Sequence, residues 1–118
     1  MCGRFALKAP TGVLASHFKL DETVEVMPRY NIAPGTDIPT IHHSPEGKRV
    51  MHLLRWGLVP HWAKDPSIGA KLSNARGETV AEKPSFRDAF ERRRCQVPAD
   101  GWLLQRDDVL DMLRNERV

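Results

Sequence analysis

The sequence predicts an α+β domain in which a mixed, barrel-like β-sheet carries a few peripheral helices. Short apolar segments recur between Gly/Pro-rich turns at 2–7, 38–42, 49–56 and 95–104. Helical spacing is confined to three short stretches, 10–18, 85–93 and 106–117. No strand–helix alternation supports a doubly wound sheet. Gly57, Gly69 and Gly77 are too scattered for a phosphate-cradling loop. A length of 118 residues suits one domain, and 41% hydrophobic with 28% charged residues argues against general disorder.

The elements follow in order. Residues 2–7 (CGRFAL) alternate enough for a short strand. Pro10 and Thr11 open a helix through Phe18, with Val13, Leu14 and Phe18 on one face. Residues 21–30 hold acids and Pro28 without a period and read as loop, and YNIAP then runs into a turn at Gly35. Residues 38–42 form a strand, SPEGK a hairpin turn and 49–56 the return strand. Residues 57–73 are mostly loop. SFRDAFERR (85–93) is a helix with Phe86, Ala89 and Phe90 facing inward and Ser85 as N-cap. CQVPADGWLL (95–104) reads as strand, turn, strand. Residues 106–117 form a charged amphipathic helix with Val109, Leu110 and Leu113 on its apolar side.

Several classes are excluded. No apolar run approaches the ~18 to 20 residues of a membrane helix. The N-terminus has no signal-peptide h-region, so a cytoplasmic protein is expected. Two cysteines, Cys2 and Cys95, give neither a disulfide framework nor a four-ligand zinc set. The five histidines show no metal spacing, so no metal and no cofactor are expected. A net charge of +3 tolerates a polyanion partner without requiring one.

The residues able to carry chemistry are few. Cys2 directly follows the initiator Met. If Met1 is removed, the mature terminus is a 1,2-aminothiol whose amine has a reference pKa near ~7.7 to 8.0. Such a pair attacks an aldehyde twice, amine first and sulfur second, closing a thiazolidine. It would also serve as an N-terminal nucleophile with its own amine as base. The plainer alternative is a small buried residue opening a strand. Arg4 shares a strand face with Cys2 and would hold a phosphate, or simply be solvated. In SNARGET, Asn74 can donate to a developing oxyanion and Arg76 can clamp a phosphate, while Glu78 continues that face; the alternative is a polar turn at Gly77. Trp62, in a Gly/Pro loop, would stack an unpaired base or pack in the core, where Trp56 belongs. Cys95 reads as an inert core thiol, and Arg92, Arg93 and Arg94 as a solvated helix end.

Together these residues resemble a family. MCGRF at the start, RYNIAPGT (29–36), RWGLVPHWAKD (55–65), NARGET (74–79) and SFRDAF…RRCQVPADGW (85–102) are similar, in that order, to the SOS response-associated peptidase (SRAP) family. The resemblance covers residues 1 to about 102. It implies that Cys2, exposed by loss of Met1, condenses with the ring-opened aldehyde of an abasic site in single-stranded DNA. The resulting thiazolidine crosslink shields the lesion from strand cleavage. It further implies that Asn74 hydrogen-bonds the crosslink, that Arg4 and Arg76 hold flanking phosphates, and that Trp62 lies in a DNA-facing Pro-x-Trp loop. Peptidase-type self-processing of the N-terminus is also implied.

The sequence departs from the family pattern after Gly101. Leu104 stands where the family places a catalytic Glu, and no His-x-Arg-Met-Pro motif follows. The expectation is therefore an N-terminal part of a SRAP domain at 1–104 and a divergent helical tail at 105–118, an incomplete SRAP fold. Crosslinking through Cys2 is expected to persist in weakened form, with peptidase activity and crosslink release impaired. A non-catalytic single-stranded DNA binder and a vestigial product are the alternatives. Open sheet edges would favour self-association.

Overall fold

A computed structural model describes residues 3–103. Their order is β1 (Arg4–Leu7), α1 (Thr11–Phe18), β2 (Arg29–Ile32), β3 (Asp37–His43), β4 (Arg49–Arg55), a 3-10 helix (Pro66–Lys71), α2 (Arg87–Arg92) and β5 (Gly101–Leu103). The class is α+β. The described strands form two small antiparallel sheets, a three-stranded β2-β1-β5 and the two-stranded β3-β4, and no closed barrel among them.

β1 is the centre of the first sheet. Its alternation is strict: Phe5 and Leu7 are buried while Arg4 lies on the open face. On one edge Phe5 pairs with Ile32 and Leu7 with Arg29. The register slips between those pairs, so Tyr30 and Asn31 share the space opposite Ala6 and both are exposed. Only Ile32 of β2 is buried. The reading of residues 29 and 30 as loop is corrected here. One apolar residue leaves no period to read, and the strand forms because β1 offers it an edge.

The hairpin β3-β4 follows the expected pattern, with Gly47 at φ +82° in its turn. Its partners run from Asp37–Arg55 to His43–Arg49. Ile38, Ile41, Val50 and Met51 are buried, and Thr40 donates its hydroxyl to the His52 carbonyl at 3.0 Å. At the far end Leu53 and Leu54, on opposite faces, are each 47% exposed. Arg29 clasps the preceding turn. Its guanidinium donates to the Asp37 carbonyl at 2.6 Å and to Thr36 Oγ1 at 3.0 Å, and the Thr36 hydroxyl donates to the Ala33 carbonyl at 2.7 Å.

α1 buries Leu14 and leans Phe18 on the core, but Val13 is exposed. The inward face is therefore narrower than the sequence predicts. The helix stops at Lys19, which takes the left-handed conformation (φ 54°). α2 begins at Arg87, preceded by Phe86 with no side-chain cap, so Ser85 is not its N-cap. None of the residues of α2 is buried, and Phe90 is exposed. The expected helix at 106–117 lies outside the described residues.

Candidate functional site

Cys2 and Leu104 lie outside the described residues; the nearest described neighbour of Cys2 is Gly3, half-buried and directly before β1. Two strands hold β1 in place. On the β5 side Arg4 pairs with Leu103, Phe5 with Trp102 and Ala6 with Gly101. Asp100, in the turn before β5, accepts from the backbone N–H groups of Lys8 (2.5 Å) and Ala9 (3.1 Å), and its own N–H donates to the Ala6 carbonyl at 2.8 Å. The Asp of PADGW is thus a clamp on the end of β1. Arg4 is exposed and donates to Asn31 Oδ1 at 3.3 Å.

Trp56 joins this strand to the 74–76 segment. Its indole lies edge-on to the Phe5 ring, centroids 5.4 Å apart, and its Nε1–H donates to the Ser73 carbonyl at 2.8 Å. Arg4 directly precedes Phe5, and Asn74 directly follows Ser73. One indole therefore couples the strand of Arg4 to the loop of Asn74. Trp56 is half-buried and packs against the core, as the sequence predicts.

Gly57 shapes the loop that follows. Its φ is +140°, and a Cβ there would stand 2.5 Å from the Gly69 carbonyl oxygen. Only glycine admits that approach. At Gly69, the far end, an added Cβ would stand 3.1 Å from the Val59 side chain and 3.2 Å from the Gly57 carbonyl oxygen. Leu58 N–H then donates to the Leu72 carbonyl at 3.1 Å, closing residues 58–72 as one unit. Within it Pro60 is buried and Trp62 is 52% exposed. Trp62 lines a cavity of about 450 Å³ with Lys64, Asp65, Ser67 and Lys71. Asp65 caps the 3-10 helix by accepting from Ser67 N–H at 2.9 Å, and that hydrogen bond holds its carboxyl below the usual range.

Asn74 and Arg76 are exposed, and Asn74 Nδ2 donates to Ser73 Oγ at 3.4 Å. The Arg76 carbonyl accepts from Thr79 and Val80, so the chain turns at Gly77. The strand-like alternation predicted to carry Glu78 onto the face of Asn74 and Arg76 ends there. The structure thus ties Arg4 and Asn74 to a common support. It sets Trp62 on a separate cavity wall and leaves Arg76 at a turn. Cys95, expected in the core, is exposed. It lies on a segment strapped to the outer edge of β3 by paired hydrogen bonds between Ile41 and Gln96 (2.9 and 2.8 Å). Sequence reading missed the roles of Asp100 and Arg29, whose partners, backbone groups and the Thr36 hydroxyl, local spacing does not reveal.

The fold and these supports define a mixed α+β domain organised around an N-terminal strand. The family model "SOS response associated peptidase (SRAP)" matches residues 1–103, and the chain belongs to that family. It is 45% identical over 105 residues to the abasic site processing protein YoqW of Bacillus subtilis (strain 168), covering 86% of this chain and 46% of that protein. It is 34% identical over 110 residues to the abasic site processing protein YedK of Escherichia coli (strain K12), covering 86% and 46%. A crystal structure of a protein from Bacteroides thetaiotaomicron superposes with a TM-score of 0.72 at 25% identity, over 86% of this chain and 47% of that one. The chain thus spans about half the length of the curated relatives it matches.

Proposed function

We propose that the chain processes abasic sites in single-stranded DNA by forming a covalent crosslink through Cys2 after removal of Met1. The observation that supports this best is the Phe5–Trp56–Ser73 chain of contacts, because it couples the strand that follows Cys2 to the loop that bears Asn74. Relatives named abasic site processing proteins give the substrate class.

In this reading the Cys2 α-amine attacks the C1 aldehyde of the ring-opened sugar. The carbinolamine loses one water to give an imine. The Cys2 sulfur then adds to the imine carbon, and the thiol proton passes to nitrogen. The thiazolidine forms one C–N and one C–S bond and releases one water. Asn74 supplies a neutral amide donor to the oxygen or nitrogen at the reacting carbon. Arg4 and Arg76 neutralise the flanking phosphates, and Trp62 offers a stacking face to a base beside the lesion. Leu104, where the family has a Glu, supplies no proton relay, so release of the crosslink and peptidase-type self-processing are slow. Residues 1–104 act as the N-terminal part of a SRAP domain, with 105–118 as a divergent tail. Among the described residues β2 and β5 are the edges of the three-stranded sheet, and with Leu53 and Leu54 they favour self-association.

Incubation with a single-stranded oligonucleotide bearing one abasic site tests this reading. A heat-stable band on a denaturing gel that disappears in Cys2→Ala supports it; an equal band in the variant contradicts it. A second reading, lesion-independent binding of single-stranded DNA, draws on Trp62 exposed beside Lys64 and Lys71. It predicts salt-sensitive binding unaffected by Cys2→Ala.

A further inference from the structure

We infer that the face between the outer edge of β3 and the C-terminal end of α2 is a second binding groove, and that it takes the sugar–phosphate backbone of a single nucleic-acid strand. The antiparallel pairing of Gln96 with Ile41 sets its geometry. Counting outward from that pair brings Cys95 level with His42 and Arg94 level with His43. Two adjoining cavities open there, of about 400 and 550 Å³, and share His42, His43, Arg94 and Cys95 in their walls. Arg49 lines the first and Arg92 and Arg93 the second. Among the described residues no carboxylate lines either cavity.

The charge count favours an anion. Asp88 is the carboxylate in contact with the arginine run, 2.8 Å from Arg93 and 3.7 Å from Arg92, and it offsets one charge of the four arginines. Arg94 lies over the Phe90 ring at 4.8 Å, and Arg49 is pinned by donating to the Phe18 carbonyl at 2.8 Å. Among the described residues, two of the four guanidiniums are therefore held in place by contacts other than ion pairs, with the Asp21 carboxylate taken up by the Arg49 backbone N–H at 2.8 Å. Two open, adjoining cavities suit an extended chain of phosphates better than one small anion. The His42 ring, edge-on to His52 at 4.9 Å, adds a flat surface beside the charges. The partner class follows from the proposed DNA chemistry, but the groove uses none of the residues assigned to it and needs no lesion.

The test uses the full chain carrying Cys2→Ala, so that Cys95 is the one remaining thiol, and an oligonucleotide without an abasic site. Saturating strand is expected to slow alkylation of exposed Cys95 at least fivefold, read by mass spectrometry. Inorganic phosphate alone is expected to leave it unchanged. In anisotropy titrations Arg92→Gln/Arg94→Gln is expected to weaken binding on the order of tenfold at low salt. It should also flatten the salt dependence by about 1.4 in log–log slope, two contacts at roughly 0.7 each. Lys8→Gln/Lys19→Gln, the same charge removed elsewhere, is expected to leave that slope unchanged. Unprotected Cys95, protection by phosphate alone, or equal losses in the two double variants would overturn the groove. The footprint on the Cys2→Ala chain decides the matter even if the arginine variant fails to fold. Crosslinking at Cys2 surviving without protection of Cys95 would refute the groove alone; protection without crosslinking would refute the Cys2 chemistry alone.

Discussion

The two halves of the described chain are built differently. Every buried large apolar side chain among the described residues, from Phe5 to Met51, belongs to the first half. Beyond Met51 the buried residues are Pro60, Gly69 and Pro98. The second half is held by specific joints instead: the Trp56 indole on Ser73, Gly57 against Gly69, Gln96 on Ile41, Asp100 on the end of β1. Most residues proposed to meet DNA, namely Trp62, Asn74, Arg76 and the 92–94 arginines, lie on this strapped half; Arg4 lies on the strand it is strapped to, and His42, His43 and Arg49 lie on the hairpin. A rigid core thus supports a surface that few contacts fix, and each of those contacts is a lever on the site.

Substitutions separate the two kinds of support. The largest loss is expected in the core. Ile32 is fully buried, and Ile32→Ala should cost about 3 to 4 kcal/mol through lost burial and a residual cavity. Thermal melting would show this as loss of the cooperative transition or a drop of many degrees. Gly57→Ala should cost about 2 to 3 kcal/mol, because the added methyl meets the Gly69 carbonyl at a backbone angle that glycine alone tolerates. Proteolysis within 58–72 should rise with it. Trp56→Phe keeps most of the packing but leaves the Ser73 carbonyl without its donor. A cost of about 1 to 2 kcal/mol is expected in the melt, with a several-fold slower crosslinking rate as Asn74 loses its support. Equal rates in Trp56→Phe and wild type would show that the joint does not serve the site.

The smallest effect is electrostatic. The Asp65 carboxyl is held low by its hydrogen bond to Ser67, so its contribution is present above the ordinary carboxylate pKa. That contribution fades as pH falls through the depressed value. Asp65→Asn should therefore remove a small stabilisation of the 3-10 helix at neutral pH and none in strong acid, as hydrogen exchange at Ser67 and Ile68 would report. Burial pushes the Cys95 thiol up from its ordinary value, so its alkylation at neutral pH should be slower than that of an unstructured peptide thiol.

What the sequence revealed follows the same division. The β3-β4 hairpin, α1 and the irregular 57–73 segment were legible because apolar spacing and Gly/Pro turns write them locally. β2 was not, since its only buried side chain is Ile32 and its partner lies some 25 residues back. Helical spacing points Val13 inward, yet α1 rests on the core along the single line of Leu14 and Phe18. For the proposed site, the sequence offers Cys2 as an aminothiol and Asn74 and Arg76 from their motif. The groove at Cys95 was not. It depends on the Gln96–Ile41 pairing across 55 residues, and an arginine run after a short helix looks locally like any solvated helix end.

The central claim is that a terminal amine and thiol on one residue, Cys2, capture a sugar aldehyde. The intact mass of the adduct with abasic single-stranded DNA tests it most directly. The account predicts a species equal to the chain without Met1 plus the oligonucleotide, less one water, stable without added reductant and absent in Cys2→Ala. An adduct that retains Met1, or one that appears only after borohydride trapping and persists in Cys2→Ala, would contradict it.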